Sequence, residues 1–221
     1  MKVTFYLVRH GQTYFNRYNK LQGWSNSPLT ENGLSDARKV GEKLSGVRFE
    51  AAYSSDTSRA MQTAKIILDK NTTDFQPELS CLANFREEFY GSYEGSNMDI
   101  AWLNAGAPYG LKSYAEIVDD YGVASTKDFL KAADPWHDAE NNDEYWARLD
   151  EGFTKLLEDP NVKDGAKVLL ISHGNTLLSL ADRYGNNKIS FHARPKNGSV
   201  SKLVYEDRQY HFISFDDKEI N

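Results

Sequence analysis

Cysteine is almost missing from this chain of 221 residues: Cys81 stands alone, which excludes an internal disulfide. Long apolar runs are missing as well, so no stretch reads as a membrane span. The N-terminus shows no charged region leading into an apolar segment and a small-residue cleavage site, and no secretory signal is read there. Together these absences predict a cytoplasmic protein. A basic excess is also lacking. Lys and Arg total 26 against 32 Asp and Glu, a formal net charge of −6, which argues against non-specific binding to nucleic acid or anionic membranes. Any anionic ligand must then be held by locally placed cations. His137, His192 and His211 have no metal-ligand spacing with one another or with cysteine, and no metal is assigned. No repeat of solenoid period and no low-complexity tract is found.

What the chain does have is two apolar runs that stop at the same dipeptide. Val3 to Val8 leads into Arg9-His10-Gly11, and Val168 to Ile171 leads through Ser172 into His173-Gly174. Both read as buried strands, and parallel strands of one open sheet would bring His10 and His173 to a shared C-terminal edge, where ligands of α/β sheets bind. A guanidinium carries fixed donors matched to phosphate or carboxylate oxygens, and an imidazole serves as nucleophile or proton carrier near neutral pH. Arg59 joins this edge from the first turn of a helix predicted over 57–68. Gathering such cations without an anion is costly, so the edge is read as an anion site.

The rest alternates strands and helices. Tyr14 to Ser27 reads as a loop, Thr30 caps a helix stopping near Gly46, and a strand covers about 49–53. Asn141-x-x-Glu144 reads as a capping box for a helix through Leu157. A helix over about 176–184 follows the second strand, and strands over 199–205 and 210–215 form a hairpin across Glu206 to Gln209. From Cys81 to Asn142 the rhythm breaks into short helical patterns at 98–104, 114–121 and 127–133. The fold expected is a three-layer α/β/α sandwich with a mostly parallel central sheet, helices on both faces and a helical and loop cap inserted at about 88–141. Residues 1–221 are read as a single domain.

Five blocks then resemble the histidine phosphatase superfamily, the phosphoglycerate mutase-like family. They are Arg9-His10-Gly11-Gln12-Thr13-x-x-Asn16, Leu21-Gln22-Gly23-Trp24 through Pro28-Leu29-Thr30-x-x-Gly33, Tyr53-Ser54-Ser55-Asp56-x-x-Arg59-Ala60, Arg86-Glu87-x-x-x-Gly91-x-x-Glu94-Gly95, and Ser172-His173-Gly174. The resemblance implies that His10 is a phosphoryl-accepting nucleophile surrounded by Arg9, Arg59 and His173, with Asn16 as a neutral donor. Glu87 is implied as the acid-base group; its rival reading is a surface carboxylate paired with Arg86. Alternation points Glu88 away from it. Gln22, Gly23 and Gly174 are implied to face the phosphate, and no metal or other cofactor is implied. Asn26 departs from the pattern, standing where aspartate is common, and is given only local turn bonds.

Other residues have plainer readings. Arg17 and Lys20 are read as solvated loop charges, Asn197 and Gly198 as a pocket floor, and His192 as a loop residue near the rim. Trp102, Trp136 and Tyr114 are read as packing within the cap, with a substrate pocket as the alternative. Three functions stay open: a phosphomonoesterase acting on a small-molecule phosphate ester, a bisphosphoglycerate-primed mutase, and a silent phospho-ligand binder. Retention of the whole set disfavours the last. Only Lys112, Lys127 and Lys131 are basic between Gly91 and Asn141, so the cap suits a trianionic glycerate poorly, and the phosphatase is preferred.

Overall fold

The run Val3–Arg9 forms the first strand, β1, and its side chains alternate between two cores. Val3, Phe5 and Leu7 pack on one face with Tyr145, Leu149, Phe153, Leu156, Leu177 and Leu180. Tyr6 and Val8 pack on the other with Val40, Leu44, Ala60, Ala64 and Ile67. In this computed structural model, which describes residues 1–185, 189, 191 and 194–219, the later elements supply those two layers. They are α1 (Tyr14–Arg17), α2 (Glu31–Leu44), β2 (Ala51–Ser54), α3 (Ser58–Asp69), β3 (Leu79–Cys81), α4 (Met98–Gly106), α5 (Tyr114–Ala133) and α6 (Asn142–Leu157). Then follow β4 (Lys167–Ser172), α7 (Gly174–Tyr184), β5 (Val200–Glu206), β6 (Gln209–Phe215) and β7 (Lys218–Glu219). His192 and its neighbour Ala193 lie outside the described residues.

The sheet is seven-stranded, in the order β3-β2-β4-β1-β5-β6-β7. Strands β3, β2, β4 and β1 are parallel neighbours, whereas β5 pairs antiparallel with β1, and β6 and β7 each reverse again. Strands β3, β2, β4, β1 and β6 therefore run one way, and the sheet is mostly parallel with helices on both faces, as the sequence predicts. The reversal at the end follows from a tight β5–β6 turn, in which Asp207 and Arg208 both take left-handed φ angles of 53° and 64°. The Asn141 and Glu144 capping box is present at the start of α6.

Three local features differ from the sequence reading. Residues 14–17 are a helical turn rather than loop, because Thr13 and Asn16 close a capping box around it. Strand β3, which ends at Cys81 where the irregular segment is read to begin, has no counterpart in the sequence reading; three residues are too few to show periodicity. Of the two short helices expected at 114–121 and 127–133, the first ends as read, at Gly122, whose φ of 84° and ψ of 169° leave the helical region, but the second begins directly after that kink, so the two abut as α5. Around this bend, Leu21, Tyr90, Trp102, Ile117, Phe129 and Leu130 form a third buried cluster between α4, α5 and the loop after α1.

One close approach fixes the turn after β1. A Cβ on Gly11 would lie 2.3 Å from the Gly33 carbonyl oxygen, and a Cβ on Gly33 would lie 2.1 Å from that of Gln12. The backbone leaving β1 thus rests directly on the first turn of α2, with no room for a side chain at either position.

Candidate active site

The parallel pairing of β1 with β4 sets Arg9 opposite Ser172, so the next residue of each strand, His10 and His173, meet at one sheet edge. Their ring centroids are 5.2 Å apart and both rings are buried. The hydrogen bonds fix both tautomers. His10 Nδ1 lies 2.8 Å from the Gly11 carbonyl, which only accepts, so Nδ1 carries the proton. Nε2 is left as a lone pair facing Arg59 Nε at 3.3 Å. For His173 the order is opposite: Nδ1 accepts from Arg59 Nη2 at 3.1 Å, and Nε2 donates to Ser55 Oγ at 2.8 Å.

Arg59 is fully buried in the first turn of α3. Besides the two imidazoles, its guanidinium donates to the carbonyls of Gln22, Gly23 and Ser25. That loop is held in place from below, because the Glu94 carboxylate accepts from the backbone N–H groups of Gly23, Trp24 and Ser25. The start of α3 is tied by Asn26, whose Oδ1 accepts from both Ser58 N and Ser58 Oγ. Asn26 therefore does more than the local turn bonds read from sequence. It supplies the N-terminal helix bond that Thr57 does not make.

Arg9 donates to the Pro195 carbonyl at 2.5 Å, while its Nε is buried without an acceptor among the described residues. A third cation, Arg194, stands beside it. A Cβ on Gly174 would lie 3.0 Å from Arg194 Cδ and 3.2 Å from Arg9 Cζ, so the absent side chain of Gly174 is what lets the two arginines approach. Among the described residues no carboxylate is within 4.0 Å of Arg9, Arg59 or Arg194. Burial pushes Arg9 and Arg59 down to about 10, so both stay charged at neutral pH. One buried and two half-buried guanidiniums without a paired carboxylate, next to two imidazoles, form a site built for an anion.

Glu87 is buried at the N-terminus of α7. Its Oε2 accepts from Asn175 N at 2.8 Å and its Oε1 from Thr176 Oγ1 at 3.0 Å and Glu88 N at 3.1 Å. Arg86 does not pair with it but grips Asp56 through Nε and Nη2 at 2.6 and 2.5 Å. Glu88 does not diverge from Glu87 as alternation predicts: residues 87–90 form no strand, both carboxylates meet Asn175, and Glu88 is buried. It sits near buried Lys127, with Asn175 Nδ2 3.4 Å from its Oε2. Burial holds the Glu88 carboxyl above the usual range and pushes the Lys127 ammonium down.

The remaining predicted residues divide. Gln22 is buried, accepts from Thr13 Oγ1 at 2.6 Å, and leaves its Nε2 without an acceptor among the described residues. Asn16 Oδ1 accepts from Thr13 N and from Asn197 Nδ2, and that same amide donates to the His10 carbonyl at 2.9 Å. Gly198 N donates to the Arg9 carbonyl, so residues 197–198 lie directly beneath the Arg9-His10 backbone. Arg17 is exposed and Lys20 lies over the Phe15 ring; neither joins the cluster. Trp102 packs as expected, Tyr114 is half-buried against it, and Trp136 is 71% exposed and packs in no core. Arg194, Asn175, Ser55 and Glu94 carry much of the arrangement without having been singled out. Of these Ser55 and Glu94 fall in recognised blocks, and no periodicity or spacing marks Arg194 or Asn175.

Comparison with known proteins bears on this arrangement. The family model of the histidine phosphatase superfamily (branch 1) matches residues 5–218. The chain belongs to the histidine phosphatase superfamily. It is an enzyme of the type that includes phosphoglycerate mutases and phosphatases, and its chemistry is phosphoryl transfer. A phosphoglycerate mutase structure from Bacillus anthracis is 32% identical with a TM-score of 0.89, over 98% of this chain and 93% of that one. A mycobacterial glucosyl-3-phosphoglycerate phosphatase is 20% identical with a TM-score of 0.71, over 98% and 99% of the two chains. The alpha-ribazole phosphatase of Shigella flexneri is 20% identical with a TM-score of 0.67, over 100% and 98%. These last two show the shared fold. No helix among the described residues of this histidine phosphatase family member is long and apolar enough to cross a membrane.

The electrostatics of the site set a pH dependence of folding. Burial, then the charges of Arg59 and Arg9, hold the His10 imidazole well below its usual 6.5, and burial and Arg59 do the same to His173. An unfolded chain protonates these rings near pH 6.5 while the folded chain does not, so between the folded and unfolded pKa values the unfolded state binds more protons. Their contribution to stability is complete above pH 6.5 and is lost as pH falls below it. The urea-unfolding midpoint is expected to drop between pH 7 and pH 5, and to drop less in His10→Gln. Identical pH slopes for the two proteins would remove His10 from this account.

Proposed function

We propose that the protein is a metal-independent phosphomonoesterase that forms and hydrolyses a phosphohistidine at His10. One observation carries the reading: the lone pair of a neutral His10 Nε2 faces a cluster of guanidiniums that have no carboxylate at ion-pair distance among the described residues. In the reaction, Nε2 attacks phosphorus as the P–O bond to the leaving group breaks on the opposite side. Arg9 and Arg59 hold equatorial oxygens, where charge spreads in the transition state, and His173 holds the third with its proton moved to Nδ1, its Nε2 then accepting from Ser55 Oγ and Arg59 Nη2 turning to the phosphoryl group. Asn16, Gln22, Gly23 and Gly174 shape the phosphate end of the pocket, the last by leaving space for Arg9. Glu87 gives a proton to the departing alkoxide, then takes one from the water that attacks phospho-His10, and inorganic phosphate leaves. The chain acts as one domain, with residues 88–141 as a cap over this edge.

Water is assigned as the final acceptor because the cap offers little to a small polyanion. Of its three lysines, Lys127 is buried near Glu88 and Lys131 is bonded to Glu144, which leaves Lys112. The second reading is a phosphoglycerate mutase. It is favoured by the 32% identity to the Bacillus anthracis protein of that name and by Arg194, a half-buried cation available to a glycerate carboxylate. An assay of the purified protein on a panel of phosphomonoesters, beside a bisphosphoglycerate-primed mutase assay, separates the two. Phosphate release is expected to dominate. Rapid interconversion of phosphoglycerates with negligible phosphate release contradicts the proposal.

The Glu87 role has its own test. In Glu87→Gln, esters of poorly acidic alcohols are expected to slow by about 10²–10⁴-fold. Esters of acidic phenols, which leave without a proton, are expected to lose far less. Equal losses across both classes would reduce Glu87 to a cap on α7.

A further inference from the structure

The Glu87 helix cap, the His10 pocket and the packed cores leave one sizeable feature unused. A cavity of about 530 Å³ opens between α4 and the start of α5, walled by Met98, Trp102, Tyr114 and Ala115, with Lys112 and Arg194 among its polar lining. Arg194 connects it to the phosphate end. On one side its Cδ crowds the space above Gly174, 3.0 Å from where a Cβ would be, with Arg9 Cζ 3.2 Å from the same point. On the other side its Nη1 lies 2.8 Å from Met98 Sδ, and its Cζ lies 5.7 Å from the centre of the Tyr114 ring. One guanidinium is thus the partition between the anion cluster and the cavity.

The partition is anchored. Arg194 Nε donates to Asn175 Oδ1 at 2.6 Å, and Asn175 donates through its backbone to Glu87 and through its amide to the Tyr90 hydroxyl. The cavity walls are equally fixed, since Trp102 is buried in the third core and meets Tyr114 edge-on at 5.0 Å. A preformed cavity of this size and lining matches sites for compact apolar ligands, whereas a three-carbon alcohol would leave most of it unfilled. Apolar surface buried there contributes through the hydrophobic effect, and ring faces pack well against Trp102 and Tyr114.

We infer that this cavity holds the leaving group of the substrate, and that the preferred substrates are phosphate monoesters of alcohols carrying an aromatic or comparably bulky apolar ring. The inference rests on the phosphomonoesterase reading. The phosphoryl group sits against Arg9 and His10, the ester oxygen passes Arg194, and the ring lies in the cavity against the wall that Trp102 and Tyr114 form together. When the P–O bond breaks, the ring-bearing alcohol departs through the cavity with a proton from Glu87, and the phosphoryl group stays on His10 until water removes it as phosphate.

The test must separate ring binding from leaving-group lability. Ethyl phosphate and 2-phenylethyl phosphate release alcohols of similar acidity, so their intrinsic reactivity is close and a difference in kcat/KM reports the ring. We expect a preference on the order of 30-fold for the phenylethyl ester, the scale set by burying one ring. Ala115→Leu, which puts a helix-forming side chain into the cavity, should bring that ratio to within about threefold. A wild-type ratio already near unity, or a ratio unmoved by Ala115→Leu, overturns the inference. Calorimetric binding of 3-phenylpropylphosphonate against propylphosphonate gives a readout that needs no turnover. Preference for the ring-bearing phosphonate in a protein that hydrolyses no phosphomonoester would uphold the cavity and refute the phosphomonoesterase reading. Hydrolysis of both esters with no ring preference in either assay would do the reverse.

Discussion

Replacing His10 with alanine is expected to lower kcat/KM on every phosphomonoester by about 10⁴-fold or more, the scale seen when a nucleophile is removed from a catalytic group that acts as a unit. His173 also turns a lone pair, at Nδ1, to Arg59, so activity left in this variant reads directly whether His173 can take the phosphoryl group instead. The fold should survive the change, because His10 is a neutral ring at the end of β1 whose side chain, among the described residues, bonds only to Gly11 and Arg59. The loss should therefore come with an unaltered far-ultraviolet circular dichroism spectrum. Retention of a tenth of wild-type activity by a folded His10→Ala protein would mean that another group carries the phosphoryl.

Arg59→Met is expected to damage both activity and folding. The guanidinium satisfies three buried carbonyls of residues 22–25 and fixes the tautomers of both histidines. Methionine fills similar volume and donates nothing. Each orphaned buried acceptor costs about 1–3 kcal/mol, partly offset by no longer burying a charge, so a net loss of about 3 kcal/mol in unfolding free energy is expected. The phosphoryl site loses a guanidinium at the same time, and kcat/KM should fall on the order of 10³-fold. Arg59→Lys should rescue little of either effect, because an ammonium lacks the planar fork that reaches carbonyls and imidazoles together. Urea unfolding and steady-state kinetics on both variants check this. Wild-type stability in Arg59→Met would show that the loop of residues 22–25 stands without it.

The site residues that were legible in sequence share one property: they sit at the ends of elements with strong local signals. His10 and His173 follow apolar runs that can only be buried strands, and their meeting follows from parallel neighbours in register. Arg59 follows from a cap cluster at a helix start. Asn16 and Gln22 came through the family blocks alone, in a stretch whose short helix no periodicity revealed. Arg194 was not legible, because it stands in a loop after α7 and reaches the site only through the space that Gly174 leaves. Glu88 shows a related limit. Alternation sends it away from Glu87, but residues 87–90 form no strand, and both carboxylates reach Asn175 in an interior that also feels the Lys127 charge, a tertiary arrangement with no local signature. Likewise the cavity beside Trp102 and Tyr114 exists because α4 packs on a bent α5. From sequence those residues show only that they are aromatic.

The central claim, that His10 carries the phosphoryl group on its way to water, is tested most directly by rapid quenching under alkaline conditions, where phosphohistidine survives. During turnover of a phosphomonoester, mass spectrometry is expected to find one phosphoryl group on the peptide containing His10, its decay matching the release of inorganic phosphate, and no such label in His10→Ala. Turnover at full rate with no phosphoryl group on that peptide, or with the label on another residue, would contradict the account.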